Sequence, residues 1–245
     1  IADRTRAFDS SGIRKVFDLA RSMESPVDLS IGQPDYDVPE DIRAACIQAI
    51  ESRKNDYALT QGMPILREKL QAQVDAQYGH ADRKVFVSSG TSGGLLLTML
   101  ALVDPGDEVI YHEPCYVSYR PLITLAHWVP VEVETKEEDG FRVTPGAVAD
   151  KITDRTRVLM LNYPNNPTGA VASAAALETL LERLPKALVL LDQAYVDFCD
   201  PEHDLLPHAL KHPNAVIVRT MSIDTMILRR STRSVITPAA VGLGG

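Results

Sequence analysis

Short runs of consecutive apolar residues in the later part of the chain constrain this sequence most. Leu188-Val189-Leu190-Leu191 is one of them. A strand with one wet face alternates apolar and polar residues, whereas a run that is apolar throughout must be covered on both faces. From Lys84 onward such runs alternate with helical patterns. Strands are expected at 85–88, 108–111, 128–133, 158–161, 187–191 and 215–219, with helices at 93–103, 116–126, 145–152 and 173–184 between most of them. This rhythm predicts an α/β fold, a mostly parallel sheet sandwiched by helices. Upstream, 64–78 keeps helical spacing through Leu66, Leu70 and Val74. Pro39 opens another helix, carrying Ile42, Ala45, Cys46, Ala49 and Ile50. Ser11 is placed to cap a first helix bearing Ile13, Val16, Phe17 and Ala20.

A chain of 245 residues, 45% hydrophobic and 24% charged, buries a core without a metal or disulfide staple. The 33 acidic residues outnumber 25 basic ones, for a net charge of −8. That balance argues against nucleic acid or an anionic membrane as partner, because phosphate binding needs clustered Lys and Arg. No apolar run reaches the roughly 18–20 residues of a membrane span. Arg4, Asp9 and Arg14 interrupt any signal-peptide segment. Cys46, Cys115 and Cys199 are odd in number and far apart, which fits a reducing, cytoplasmic setting. The six histidines lack metal-ligand spacing, and no metal is expected.

In an open parallel sheet, ligands bind beyond the carboxyl ends of the strands. The segments after each expected strand therefore matter most. Ser89-Gly90-Thr91-Ser92-Gly93-Gly94 leads into an apolar helix. It is either a phosphate cradle, using helix N–H groups and hydroxyls, or an ordinary tight βα turn. Asn162-Tyr163-Pro164-Asn165-Asn166-Pro167-Thr168-Gly169 is a stiff polar loop, or a plain turn rich in turn formers. Asp192 directly follows an apolar run, as a helix cap or as a buried carboxylate awaiting a ligand cation. Thr220 and Ser222 present two hydroxyls after the last strand. Tyr116 suits stacking on a planar ring or simple packing, and Cys115 has no activating neighbour.

Seven motifs occur in order: Ile31-Gly32-Gln33-Pro34-Asp35, Tyr57 with Gly62-Met63-Pro64-Ile65-Leu66-Arg67, Ser89-Gly90-Thr91-Ser92, Pro114-Cys115-Tyr116, Asn165-Asn166-Pro167-Thr168-Gly169, Asp192-Gln193-Ala194-Tyr195 and Thr220-Met221-Ser222. Together they resemble the class I/II aminotransferases, pyridoxal-phosphate enzymes of fold type I, over roughly residues 28–222. The resemblance implies pyridoxal 5'-phosphate as cofactor and transfer of an amino group between an amino acid and a 2-oxo acid. Gly90, Thr91, Ser92, Thr220 and Ser222 would then hold the cofactor phosphate, and Tyr116 would stack on the ring. Asn166 and Tyr195 would bond the phenolic oxygen, and Asp192 would pair with the ring nitrogen. Tyr57 would reach the phosphate of a neighbouring subunit, implying a homodimer, and Gly32 would lie near the substrate. Gln193 replaces the acid more usual after Asp192.

The resemblance breaks at one position. The family's Schiff-base lysine follows the Ser222 position, where this chain has Ile223, and no lysine follows Lys211. From Ile223 the composition changes to three arginines, one acid and no aromatic residue. The expected organisation is an N-terminal arm and substrate loop (1–38), a cofactor-binding large α/β domain (39–222) and a divergent tail (223–245), with the family's C-terminal small domain missing. A shifted reading frame or wrongly joined segment is one account of the tail. The alternative is a catalytically inactive fragment or pseudoenzyme that at most binds pyridoxal phosphate non-covalently.

Overall fold

A computed structural model describes residues 2–6, 16, 18–25, 27, 37–78 and 83–220. Ser11, Ile13 and Phe17 of the expected first helix, Gly32 with its loop, Ser222 and Ile223 lie outside the described residues. The chain divides into two compact units, 1–58 and 59–245.

The first unit contains helix α1, Glu40–Glu51. Pro39 stands just before it, and Glu40 and Asp41 place negative charge in the first turn, where the helix dipole favours it. Tyr57 belongs to this unit and is fully exposed.

The second unit begins with α2, Pro64–Tyr78, and α3, Gly90–Leu102. Between them the run at 85–88 forms no strand, contrary to the sequence expectation. Two of its backbone N–H groups find other partners. Gln71 donates to Arg83 O at 2.8 Å and accepts from Val85 N at 3.0 Å, and Val87 N donates to Gln61 O at 3.2 Å. Gly62 allows this close approach: its φ is +99°, and a Cβ there would stand 2.7 Å from that of Val87. Gly90 enters α3 at φ +70°, so the helix starts three residues before the expected Gly93.

Then follow β1 (Glu108–Glu113), α4 (Tyr119–Leu125), β2 (Val129–Glu134), α5 (Pro145–Ala149), β3 (Thr156–Asn162), α6 (Ala174–Arg183), β4 (Leu188–Asp192), α7 (Leu206–Ala209) and β5 (Ala215–Val218). The five strands form a parallel sheet in the order β2-β1-β3-β4-β5. Thr144 and Ser173 cap α5 and α6 through their hydroxyls, satisfying N–H groups those helix ends would otherwise leave bare. Leu177, Leu180 and Leu181 recur at helical spacing and bury one stripe of α6.

Alternation along the strands builds two cores. Ile110, Leu159, Leu161, Val189, Leu191 and Ile217 pack with α5, α6 and α7. Val109, Tyr111, Val158, Met160, Leu190 and Val218 pack with α3 and α4 on the other face. This double burial explains the unbroken apolar runs. Among the described residues, no helix is long and apolar enough to cross a membrane.

Candidate active site

All five strands are parallel, so their carboxyl ends share one edge. Asp192 ends β4 there, on the same face as Leu190, and is 2% exposed. Tyr119, one position into α4, donates its hydroxyl to Asp192 Oδ2 at 2.7 Å, and Ala194 N donates to Oδ1 at 3.0 Å. Asp192 is thus not a helix cap; it closes a short turn after the strand. Burial pushes its carboxyl above the usual carboxylate range, and these two hydrogen bonds offset part of that shift. Burial first, and the neighbouring Asp192 second, hold the Tyr119 phenol protonated. No described ion pair includes Asp192.

Asn162 ends β3 opposite Asp192 in register. Its Oδ1 accepts from Asn166 N at 2.8 Å, and its Nδ2 donates to Asp192 O at 3.3 Å. That fixes Asn166, whose Nδ2 donates to the Tyr195 hydroxyl at 3.1 Å. Asn165 braces the loop from within: Nδ2 donates to Pro114 O, and Oδ1 accepts from the backbone and hydroxyl of Thr168. Tyr116 meets Tyr119 edge to face, with ring centroids 5.8 Å apart. Thr220 is buried just after β5, against which α3, opening with Gly90, Thr91 and Ser92, packs.

The structure therefore joins Tyr119, Asp192, Asn162, Asn166 and Tyr195 through direct hydrogen bonds. Tyr57 lies in the first unit, and Gly32 and Ser222 fall outside the described residues. Tyr119 and His112 escaped the sequence reading, and Asn162 was named only as part of the polar loop. For Tyr119 the signal was present, three positions after Tyr116, but the helix was expected to start at Tyr116. Cys115 keeps its proton: burial and the Glu113 carboxylate push its thiol up.

His112 supports this edge from the opposite face. Its ring stacks on Tyr163, centroids 5.3 Å apart and 6° from parallel, and its Nε2 accepts from Asn162 N at 3.2 Å. Burial pushes its pKa down to about 4, so the ring is neutral at pH 7. The unfolded chain takes up this proton near pH 6.5 and the folded chain only near 4. Stability is whole above pH 6.5 and falls as pH drops through that window, by about 3 kcal/mol in full. Urea unfolding at pH 7 and pH 5 should show a shallower pH slope for His112→Phe than for the parent; equal slopes would contradict this assignment.

The sequence matches the family described as aminotransferase class I and II over residues 24–224. The chain belongs to the class I and II aminotransferases. That family depends on pyridoxal phosphate. The chain is 40% identical over 168 residues to an aspartate/prephenate aminotransferase of Thermus thermophilus, covering 68% of this chain and 44% of that one. It is 31% identical over 229 residues to an aspartate aminotransferase of Pyrococcus abyssi, covering 91% and 58%. The solved Thermus thermophilus aspartate aminotransferase with maleate superposes with a TM-score of 0.85 at 30% identity, covering 100% of this chain and 64% of that chain. The chain spans about half the length of the curated relatives it matches. The match includes the parallel sheet whose carboxyl edge carries Asn166, Asp192 and Tyr195.

Proposed function

We propose that this chain carries the cofactor-binding part of an aminotransferase that moves an amino group between an amino acid and a 2-oxo acid. With Ile223 at the position of the family's lysine, it holds pyridoxal phosphate without a covalent bond. The observation that carries this reading is Asp192, a buried carboxylate served by two neutral donors and no described cation. A buried charge calls for a partner, and a protonated pyridine nitrogen is one that fits.

The other donors suit the rest of that molecule. Asn166 and Tyr195 supply a paired amide and phenol for the phenolic oxygen. The amino end of α3 brings the N–H groups of Thr91 and Ser92 to the phosphate, Gly90 makes the turn into that helix, and Thr220 and Ser222 add hydroxyls. By the family resemblance, Tyr116 would lie against the ring, Tyr57 would serve the neighbouring subunit's phosphate and Gly32 would border the substrate. When bound, the pyridine ring accepts the electron pair released at the substrate carbon. Asp192 favours that by keeping the ring nitrogen protonated, and Tyr119 keeps Asp192 oriented. Ile223 offers neither an amine for covalent attachment nor a base to carry the substrate proton. A homodimer is supported by α3, which is apolar on its outer face as well, with Leu97 and Leu100 exposed.

Titrating the chain with pyridoxal phosphate and reading its absorbance tests this. We expect saturable binding that dialysis removes even after borohydride, and borohydride-fixed label in Ile223→Lys. Absence of saturable binding would refute the site. Stoichiometric fixed label on the parent chain would refute non-covalent binding.

A further inference from the structure

The loop between β4 and β5 carries Tyr195, yet its regular structure is two 3-10 turns, Val196–Phe198 and Pro201–His203, and the four-residue α7. Buried polar contacts tie down both ends of the stretch from Gln193 to Asp204. Arg219, the first residue past β5, donates through Nη2 to Gln193 Oε1 at 3.0 Å and to Asp204 Oδ1 at 2.6 Å. Gln193 Nε2 donates to the same Asp204 oxygen at 3.3 Å, and Leu206 N does so at 3.0 Å. The Arg219 side chain is 6% exposed and that of Asp204 19%.

An amide at 193 suits this arrangement better than the family's acid. Gln193 both accepts from Arg219 and donates to Asp204, which a carboxylate cannot do. Asp204 supplies the negative charge instead, farther along the chain from Asp192. Exchanging a buried ion pair for apolar residues often leaves stability unchanged, so this one contributes chiefly a defined geometry.

We propose that Arg219 is a positioning residue of the cofactor site. It fastens the start and end of the Tyr195 loop to the end of β5. Gln193 sits between Asp192 and Ala194, and Thr220 follows Arg219, so one guanidinium sets the spacing between the Asp192–Tyr195 turn and the Thr220 hydroxyl. The inference rests on the pyridoxal-phosphate site proposed above.

Two measurements separate this from a general structural role. Hydrogen exchange over 193–205 reads the fastening without any ligand. In Arg219→Met it should quicken there and stay unchanged in β1 and β3. Pyridoxal-phosphate affinity then reads the consequence: Arg219→Met should bind about tenfold more weakly, the scale of a lost charged hydrogen bond. Arg219→Lys should recover part of that loss. Adding Tyr195→Phe to Arg219→Met should cost less than the product of the two separate losses, because part of what Arg219 does is to hold the turn that carries Tyr195. Gln193→Leu, which keeps the Arg219–Asp204 pair, should quicken exchange to a smaller extent and serves if Arg219→Met does not fold. Unchanged exchange over 193–205, or losses that multiply fully in the double variant, would overturn the proposal. A parent chain that binds no pyridoxal phosphate would instead overturn the functional reading on which it rests.

Discussion

Asp192→Asn is expected to stabilise the ligand-free chain while weakening its hold on pyridoxal phosphate. The carboxyl is buried with two neutral donors, and burial raises its pKa. A raised carboxyl contributes its full stability below the unfolded value near 3.9, and that contribution is lost as pH rises through the folded pKa. As pH rises above the unfolded value, this carboxyl therefore imposes a growing penalty on the folded chain. Asparagine removes it and keeps a partner for the Tyr119 hydroxyl. The gain should be about 1 kcal/mol, or about 2–4 °C in melting temperature for a chain of this length. It should fade as pH is lowered toward 4. Affinity for the cofactor should fall about 100-fold, since the ring nitrogen loses its buried counter-charge. Thermal melts at two pH values and a binding titration check both signs. A variant less stable than the parent at pH 7.5, or one that binds equally well, would contradict the account.

The second large effect is on the core. Leu190 is fully buried in the middle of β4, two residues before Asp192, and packs with the α3 and α4 side chains. Leu190→Ala should cost about 2–5 kcal/mol, by lost transfer energy and the cavity left behind. That is a large share of the roughly 5–15 kcal/mol typical of a folded domain. Leu97→Ala offers the contrast, because Leu97 lies on the exposed side of α3. At dilute concentrations it should change stability by less than about 0.5 kcal/mol. If a second copy covers that side, the same variant should dissociate at higher protein concentration. Urea unfolding and sedimentation read the two effects separately. A parent chain that stays monomeric at all concentrations would remove the dimer from the proposed function.

The central sheet was legible because its signal is local. Within β4 and β3, 188–191 and 158–161 are apolar runs of strand length, and burial on both faces of a sheet accommodates them. Residues 85–88 show where such a signal misleads. They have strand composition, but their hydrogen bonds go to Gln71 and Gln61 rather than to a neighbouring strand. Composition reports burial, not the identity of the hydrogen-bond partner. The candidate site was legible as far as its residues lie at or shortly past strand ends: Asp192 closes β4, and Asn166 stands four residues past the end of β3. Tyr119 was missed because its role depends on where α4 starts, and helix ends are weakly encoded. Asp204 was missed because its contact with Arg219 joins distant positions, which no local pattern announces.

The two cores interlock through the strand pleat in a way that constrains how this sequence can change. Val189 and Leu191 face one core, while Leu190 and Asp192 face the other. An insertion of one residue within β4 would exchange these two sets. Asp192 would turn toward the α6 side, away from Tyr119, even though every residue of its motif survived intact. Length within β4 is therefore held as tightly as residue identity, and the site tolerates a substitution there more readily than a shift of phase.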